Sequence, residues 1–587
     1  MLNFYIDHAL LAATEGRISF YENGRGVGVR LAYPPAALIG LRLVLPRMLG
    51  TSSVSLLLTL DGEREPVSFP LRLCGCEGEW DRYAVLIDGA TLSACGHLFF
   101  GRLVVEGIFG RLDATFAADG RVRFVLDGEG EPFPLLLAEG RGTPALLGGA
   151  IYALPLRELS RLGRLFLGAD DDIETFFSHL SALGVRALWL CPPAAQGCEG
   201  ERWHPSSLPP AFRSLAEKNG IHLFFDLLCC SALRDSGGMF TRSDSLPLTS
   251  PGEGVDDRPG FWNAPSLPVG EKAPSLQEYF CGESGILATA CSAGAKGFFL
   301  RMADRFGDAL LTTLHRHMGE GALLGAASGG PVPIHFGARR RYMFGEALDG
   351  MAGDTLDKAC LAYLVEGETE ALESYLLRTQ VVIPPGMLCV QALSCYESGS
   401  LLSAIAEQLY EKDTQEPGKT PYALAELGHL IAGTLPGVPM YLAGEENGLP
   451  YPPVVGEAVG GQLAFFLRLS QLRRREAVYR DGALRLLHLS PTLLVFSRER
   501  EGEALLTVIN RAPTRLALAS PDGFSVVFGG RGLKNVFSVR PYGGIVVKVT
   551  RWEGETCRLR FTRQAEGESA TLAAPFVGRI AVLQHKK

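Results

Sequence analysis

The pattern of hydrophobic and polar positions divides the chain into three regimes. Up to about residue 130, apolar positions alternate with polar or glycine ones. Val27, Val29 and Leu31 alternate with glycine and arginine, and Val54–Leu60 and Val122–Leu126 are further strand-like runs beside Asp61-Gly62 and Asp119-Gly120. Short runs of this kind, bounded by turn dipeptides and lacking a helical period, predict a β-sandwich. From about 150 the rhythm changes. Ile151–Leu154, Val185–Leu190, Ile221–Phe225, Gly297–Leu300, Ala322–Leu324, Met387–Leu393 and Val438–Leu442 are short apolar runs. Helical patterns lie between them. One follows the acidic cap Asp170–Asp172 and carries Ile173, Phe176, Phe177 and Leu180 on its apolar face. Others cover Pro210–Asn219, open near Met302 and at Leu401, and span Gly460–Arg475. Strands alternating with amphipathic helices predict parallel βα units, and their number over roughly 330 residues fits a closed eight-fold barrel.

Beyond Ala483 the short strands return, at Leu484–Leu487, Leu493–Phe496, Leu505–Ile509, Ser525–Phe528 and Ile545–Val549, with two or three more between Thr556 and Gln584. The expected fold is therefore α/β: a (β/α)8 TIM barrel at 145–480 between β-sandwiches at 1–135 and 483–587. A loop-rich insertion falls at about 227–274.

Composition narrows the class. A chain of 587 residues with 47% hydrophobic and 20% charged residues is an ordinary multi-domain globular protein. Its net charge of −8 argues against nucleic-acid binding. The two basic triplets, Arg339–Arg341 and Arg473–Arg475, read as solvated helix or loop faces. The N-terminus lacks the pattern of a secretory signal, and no apolar run approaches a membrane span. Thirteen scattered cysteines read as free thiols of a reducing cytoplasm. Cys74 and Cys76 lack a second ligand pair at metal-site spacing, so neither zinc nor a cofactor is expected. Asp170–Asp172 reads as a helix cap rather than a calcium site, and Cys229-Cys230 as buried filler at a strand end.

Several segments together resemble glycoside hydrolase family 13, the α-amylase superfamily, and within it the cyclomaltodextrinase and neopullulanase branch. Asp171–Pro193 is similar to that family's first helix and second strand. Phe261–Pro268 and Pro274–Phe280 are similar to the segment preceding its fourth strand. Pro436–Gly448 matches its eighth-strand motif, and Leu469–Arg485 resembles the last barrel helix and its exit. The resemblance implies an N-terminal sandwich of the carbohydrate-binding-module family 34 type, α-glucan or maltooligosaccharide as ligand, and a homodimer formed through that sandwich.

The resemblance also locates the catalytic positions, and there the sequence departs from it. Retaining glycosidases need a carboxylate nucleophile and a carboxylic acid about 5–5.5 Å apart. Aligned on Gly294–Arg301, the nucleophile position holds Arg301 and the orienting arginine position holds Phe299. A guanidinium stays protonated and cannot attack an anomeric carbon. The general-acid position holds Ala326. The seventh-strand histidine and aspartate positions hold Tyr396 and Glu397, of which only Glu397 keeps the charge. After the third strand Asp226 survives, while Cys230 and Ser231 replace asparagine and histidine. The expectation is an amylase-like barrel that has lost hydrolysis and binds carbohydrate or plays a structural or partner role. The alternative is an active hydrolase or transglycosylase using Glu397 with Asp226 or Glu445.

Arg301 is open to two readings, an anion ligand in the barrel mouth or a structural pair with Asp226 or Glu397. Trp203 and Trp262 are open to sugar stacking or to packing. His204 lies in the loop after the second strand. His315 and His317 read as a surface helix face, and Glu445 and Glu446 as carboxylates that order loops at the barrel mouth.

Overall fold

A computed structural model describes residues 4–5, 12–14, 17–23, 26–60, 63–116, 122–126, 132–139, 143, 145–155, 173–191, 210–226, 281–283, 286–300, 303, 308–319, 321–327, 348–353, 355–381, 383–384, 386–395, 399–411, 419–449, 461–500, 503–549, 558–563 and 569–573. Eight parallel strands close into a barrel: Ala150–Pro155, Val185–Cys191, His222–Asp226, Ala295–Leu300, Ala322–Ala327, Gly350–Gly353, Leu388–Ala392 and Val438–Leu442. The first strand pairs with the last, Ile151 opposite Met440, which completes the ring. Strands covered on both faces need no polar alternation. Accordingly all five residues of Leu388–Ala392 and of Val438–Leu442 are buried.

The sixth strand escapes the pattern reading, and its composition explains why. Gly350-Met-Ala-Gly353 has two glycines and no β-branched residue. A Cβ on Gly350 would lie 2.7 Å from Leu388 Cβ and 2.8 Å from its carbonyl oxygen, so close strand approach requires glycine there. Helices Leu356–Glu366, Glu370–Val381 and Pro421–Thr434 also escape that reading. The helix expected near Met302 is described only as Asp308–His317, with Met302 itself outside the described residues.

Two sheets precede the barrel, one of nine strands and one of four. They share one core, in which Leu41 and Leu43 of the smaller sheet meet Leu56, Leu103 and Leu135 of the larger. After the barrel an eight-stranded sheet forms, including Arg558–Arg563 and Ser569–Ala573 from the last segment. Register shifts within its long strand Leu516–Phe528 mark bulges, which bend a strand. The sheet encloses its own core around Val495, Leu506, Val508 and Val547, while Phe496, Ile509 and Val546 belong to the barrel's core.

Arginines fasten the ends of barrel helices. The last carbonyls of a helix lack intrahelical donors, and the helix dipole favours a cation there. Arg474 donates to Ala182 O at 3.1 Å, Arg511 to Leu364 O at 2.9 Å and Val365 O at 2.7 Å, and Arg473 to Gly433 O at 2.6 Å. Arg473 is therefore not the solvated side chain that its triplet suggests. It is 1% exposed, because a guanidinium that satisfies buried carbonyls can itself be buried. Arg339–Arg341 lie outside the described residues. Among the described residues no helix is long and apolar enough to cross a membrane.

Candidate functional site: the barrel mouth

Barrel enzymes keep their chemistry at the carboxyl ends of the strands. Here Asp226 ends the third strand, is 4% exposed, and stands in register with Phe299 of the fourth. Phe299 is fully buried and stacks on Trp189 of the second strand, with ring centroids 4.1 Å apart and planes 20° from parallel. The second and fourth strands are not neighbours, so these rings meet across the barrel interior. On the fifth strand Ala326 is fully buried and in register with Ala352. Leu300, the last described residue of the fourth strand, is in register with Gly325 beside it. Trp203, His204, Trp262, Arg301, Tyr396 and Glu397 lie outside the described residues, as do Cys229, Cys230, Ser231 and Asp170–Asp172.

The eighth strand runs into a loop held by two buried carboxylates. Glu445 accepts from Ser394 Oγ and from the Leu442 amide at 2.9 Å. Ser394 Oγ in turn accepts from the Leu401 amide at 2.9 Å, tying the seventh strand's exit to the start of helix Leu401–Glu411. His429 lies 3.7 Å from Glu445. Burial pushes the Glu445 carboxyl up to about 7, opposed by the bonds from Ser394 and Leu442 and reinforced by Glu446. Burial also drives His429 down to about 3, so its imidazole is neutral at working pH.

Glu446 is fully buried, accepts from Tyr152 Oη at 2.9 Å and the Gly444 amide at 3.1 Å, and lies 3.1 Å from His179 Nε2. Burial, then Glu446, holds the Tyr152 phenol well above its ordinary range. These carboxylates order the loop, as the sequence suggests. What pattern reading misses is their partners, since Tyr152, His179, Ser394 and His429 are scattered over four elements. Glu445 is 5% exposed, and its bonds to Ser394 and Leu442 engage both carboxylate oxygens.

His315 corrects the sequence reading. It is 6% exposed, and its Nε2 lies 3.0 Å from Asp349 Oδ1. Asp349 also accepts from the Leu323 amide at 2.8 Å, so the pair joins a helix to the fifth and sixth strands. His317 is exposed, as expected. Among the described residues no three His, Cys, Asp or Glu side chains converge as a metal set.

Solved structures with this architecture are known. The type III pullulan hydrolase from Thermococcus kodakarensis is 16% identical, with the match covering 88% of this chain and 99% of that one at a TM-score of 0.51. The chain carries the α-amylase fold. A cyclomaltodextrinase is 15% identical over 87% of this chain and 96% of its own, at a TM-score of 0.53. The α-amylase from Geobacillus thermoleovorans, solved with acarbose, is 14% identical over 68% and 98%, at 0.51. No family model and no curated protein matches the sequence. In this fold the Trp189–Phe299 stack occupies the barrel interior just below the mouth.

Proposed function

We propose that the protein is a catalytically inactive member of the α-amylase fold that binds α-glucan or maltooligosaccharide. One observation carries the reading. Phe299, the position that the family resemblance assigns to the arginine orienting the nucleophile, is buried against Trp189 in an apolar stack. A guanidinium cannot take that place without its charge being buried against an indole face. Ala326, at the general-acid position, is enclosed and has no proton to give. General acid catalysis is typically worth about 10²–10⁴-fold, and an alanine supplies none of it. Trp203, His204, Asp226, Trp262, Arg301, Tyr396 and Glu397 are the side chains proposed to meet the sugar.

The wider proposal is a cytoplasmic homodimer that associates through the N-terminal sheets. Met48 and Ile108 at one end of those sheets are 68% and 71% exposed, which suits a contact surface. Nine described cysteines are free thiols, in keeping with a reducing compartment. Isothermal titration with maltoheptaose and with β-cyclodextrin tests the binding claim. Saturable heat at millimolar sugar or below is the expected result. No heat in that range overturns glucan binding and leaves a purely structural role.

A further inference from the structure

A cavity lies where helices Pro421–Thr434 and Gln462–Arg475 face the C-terminal sheet. Its volume is about 500 Å³, within the range of pockets that hold a small organic ligand. The apolar wall is built from Leu430, Phe465, Phe528 and Phe537. Phe465 and Phe528 pack edge to face, with centroids 5.5 Å apart and planes at 85°, which fixes one side of the wall. Gly544 lets the sheet approach the helix closely, since a Cβ there would lie 2.4 Å from Leu430 Cδ2. Gly461, at the other end, faces open space.

The polar rim is unequal in charge. Glu426 is already engaged, because Arg540 donates to it at 2.8 Å and Gln462 at 3.2 Å. Arg468 lines the same cavity and forms no ion pair among the described residues. Two arginines against one glutamate leave the rim positive, on a chain whose net charge is −8. A guanidinium beside an aromatic wall suits a ligand with an apolar ring and an anionic end, since the ring fills the wall and the anion meets the fork of donors.

We infer that this cavity binds a small ring-bearing phosphate monoester, at a site independent of the barrel mouth. Arg468 takes the anion, and the Phe465–Phe528–Phe537 wall takes the ring. The site stands or falls apart from the glucan proposal, because none of its residues lines the mouth.

The full-length chain is titrated by calorimetry with phenyl phosphate, inorganic phosphate and phenol. Phenyl phosphate is expected to bind at least about tenfold more tightly than either part alone. Arg468→Ala, an exposed position, is expected to weaken phenyl phosphate about tenfold without changing the melting temperature. Phe537→Ala, on a half-buried edge-strand ring, is expected to weaken phenyl phosphate and leave inorganic phosphate unchanged. Absence of saturable binding overturns the site, as does binding indifferent to Arg468→Ala. Inorganic phosphate binding as tightly as phenyl phosphate overturns the claim that the wall recognises a ring.

Discussion

Phe299 fills the barrel interior at the position that the family resemblance assigns to the arginine orienting the nucleophile. Its ring fills the interior against Trp189, so Phe299→Ala opens a cavity and is expected to cost about 3–5 kcal/mol, read by urea unfolding. Phe299→Arg, which restores the family's residue type, is expected to be worse, because it buries an unpaired charge in place of a stacked ring. Recovery of a folded protein with wild-type stability from Phe299→Arg would mean that the interior is wetter than the stack implies.

Glu445 carries a different signature, in pH. Its carboxyl is held at about 7 against an ordinary value of 4.5. Between those values the folded protein keeps a proton that the unfolded chain releases, so stability falls as pH rises through the window. His429, held at about 3 against 6.5, works oppositely, adding stability as pH rises from about 3 to 6.5. Glu445→Gln isolates the first effect, provided that the amide preserves the contacts to Ser394 and Leu442. The variant is expected to gain on the wild type as pH rises from about 4.5 to 7, by roughly 3 kcal/mol in all. A difference that stays flat across that range would contradict the buried-acid account.

At the scale of elements, the arginines that cap helix ends decide how the C-terminal sheet is attached. Arg498 is 1% exposed and donates to Thr434 O at 3.1 Å, Val478 O at 3.3 Å and Gly482 O at 2.8 Å. It joins the end of helix Pro421–Thr434 to the turn entering the sheet. Burial, then the neighbouring Arg473, pulls its guanidinium down to about 9. Arg498→Ala removes the donor to the buried Thr434 and Gly482 carbonyls, while Val478 O keeps the Gly482 amide, and the expected loss is about 2–4 kcal/mol in denaturant unfolding. Arg498→Lys should recover only part, since a single ammonium cannot reproduce the fork. Full recovery by lysine would show that charge matters here and geometry does not.

The elements themselves were largely legible in sequence. Seven of the eight barrel strands coincide with continuous apolar runs, because a strand covered on both faces has no other way to be written. Gly350–Gly353 was illegible because close packing against Leu388 selects glycine, which carries no strand signal. The histidine on helix Asp308–His317 was misread for a related reason. A helical pattern does not reveal that Asp349, far along the chain, waits to pair with His315.

The molecule as a whole combines a closed parallel barrel with β-sheets before and after it. The Pro436–Gly448 motif, read from sequence as a family mark, is the segment locked by Glu445 and Glu446. Those contacts fix the exit of the eighth strand by hydrogen bonds to its own backbone and to neighbouring elements. At the site, the family resemblance assigns Phe299 and Ala326 to the orienting-arginine and general-acid positions, and the structure adds what surrounds them. The sequence alone could not foresee the Trp189 stack, because that contact joins strands that are not neighbours. The proposed dimer belongs to this scale too. Met48→Glu combined with Ile108→Glu is expected to give a monomer by sedimentation equilibrium, while an unchanged mass would remove that end of the N-terminal sheets from any interface.

The most direct test of the whole account is reducing-sugar release from maltodextrin, β-cyclodextrin and pullulan by the purified full-length protein. No release above a protein-free blank is expected, and no change on Glu397→Gln. Release by the wild type that Glu397→Gln abolishes would contradict it, and would make the barrel mouth an active site with a substitute carboxylate.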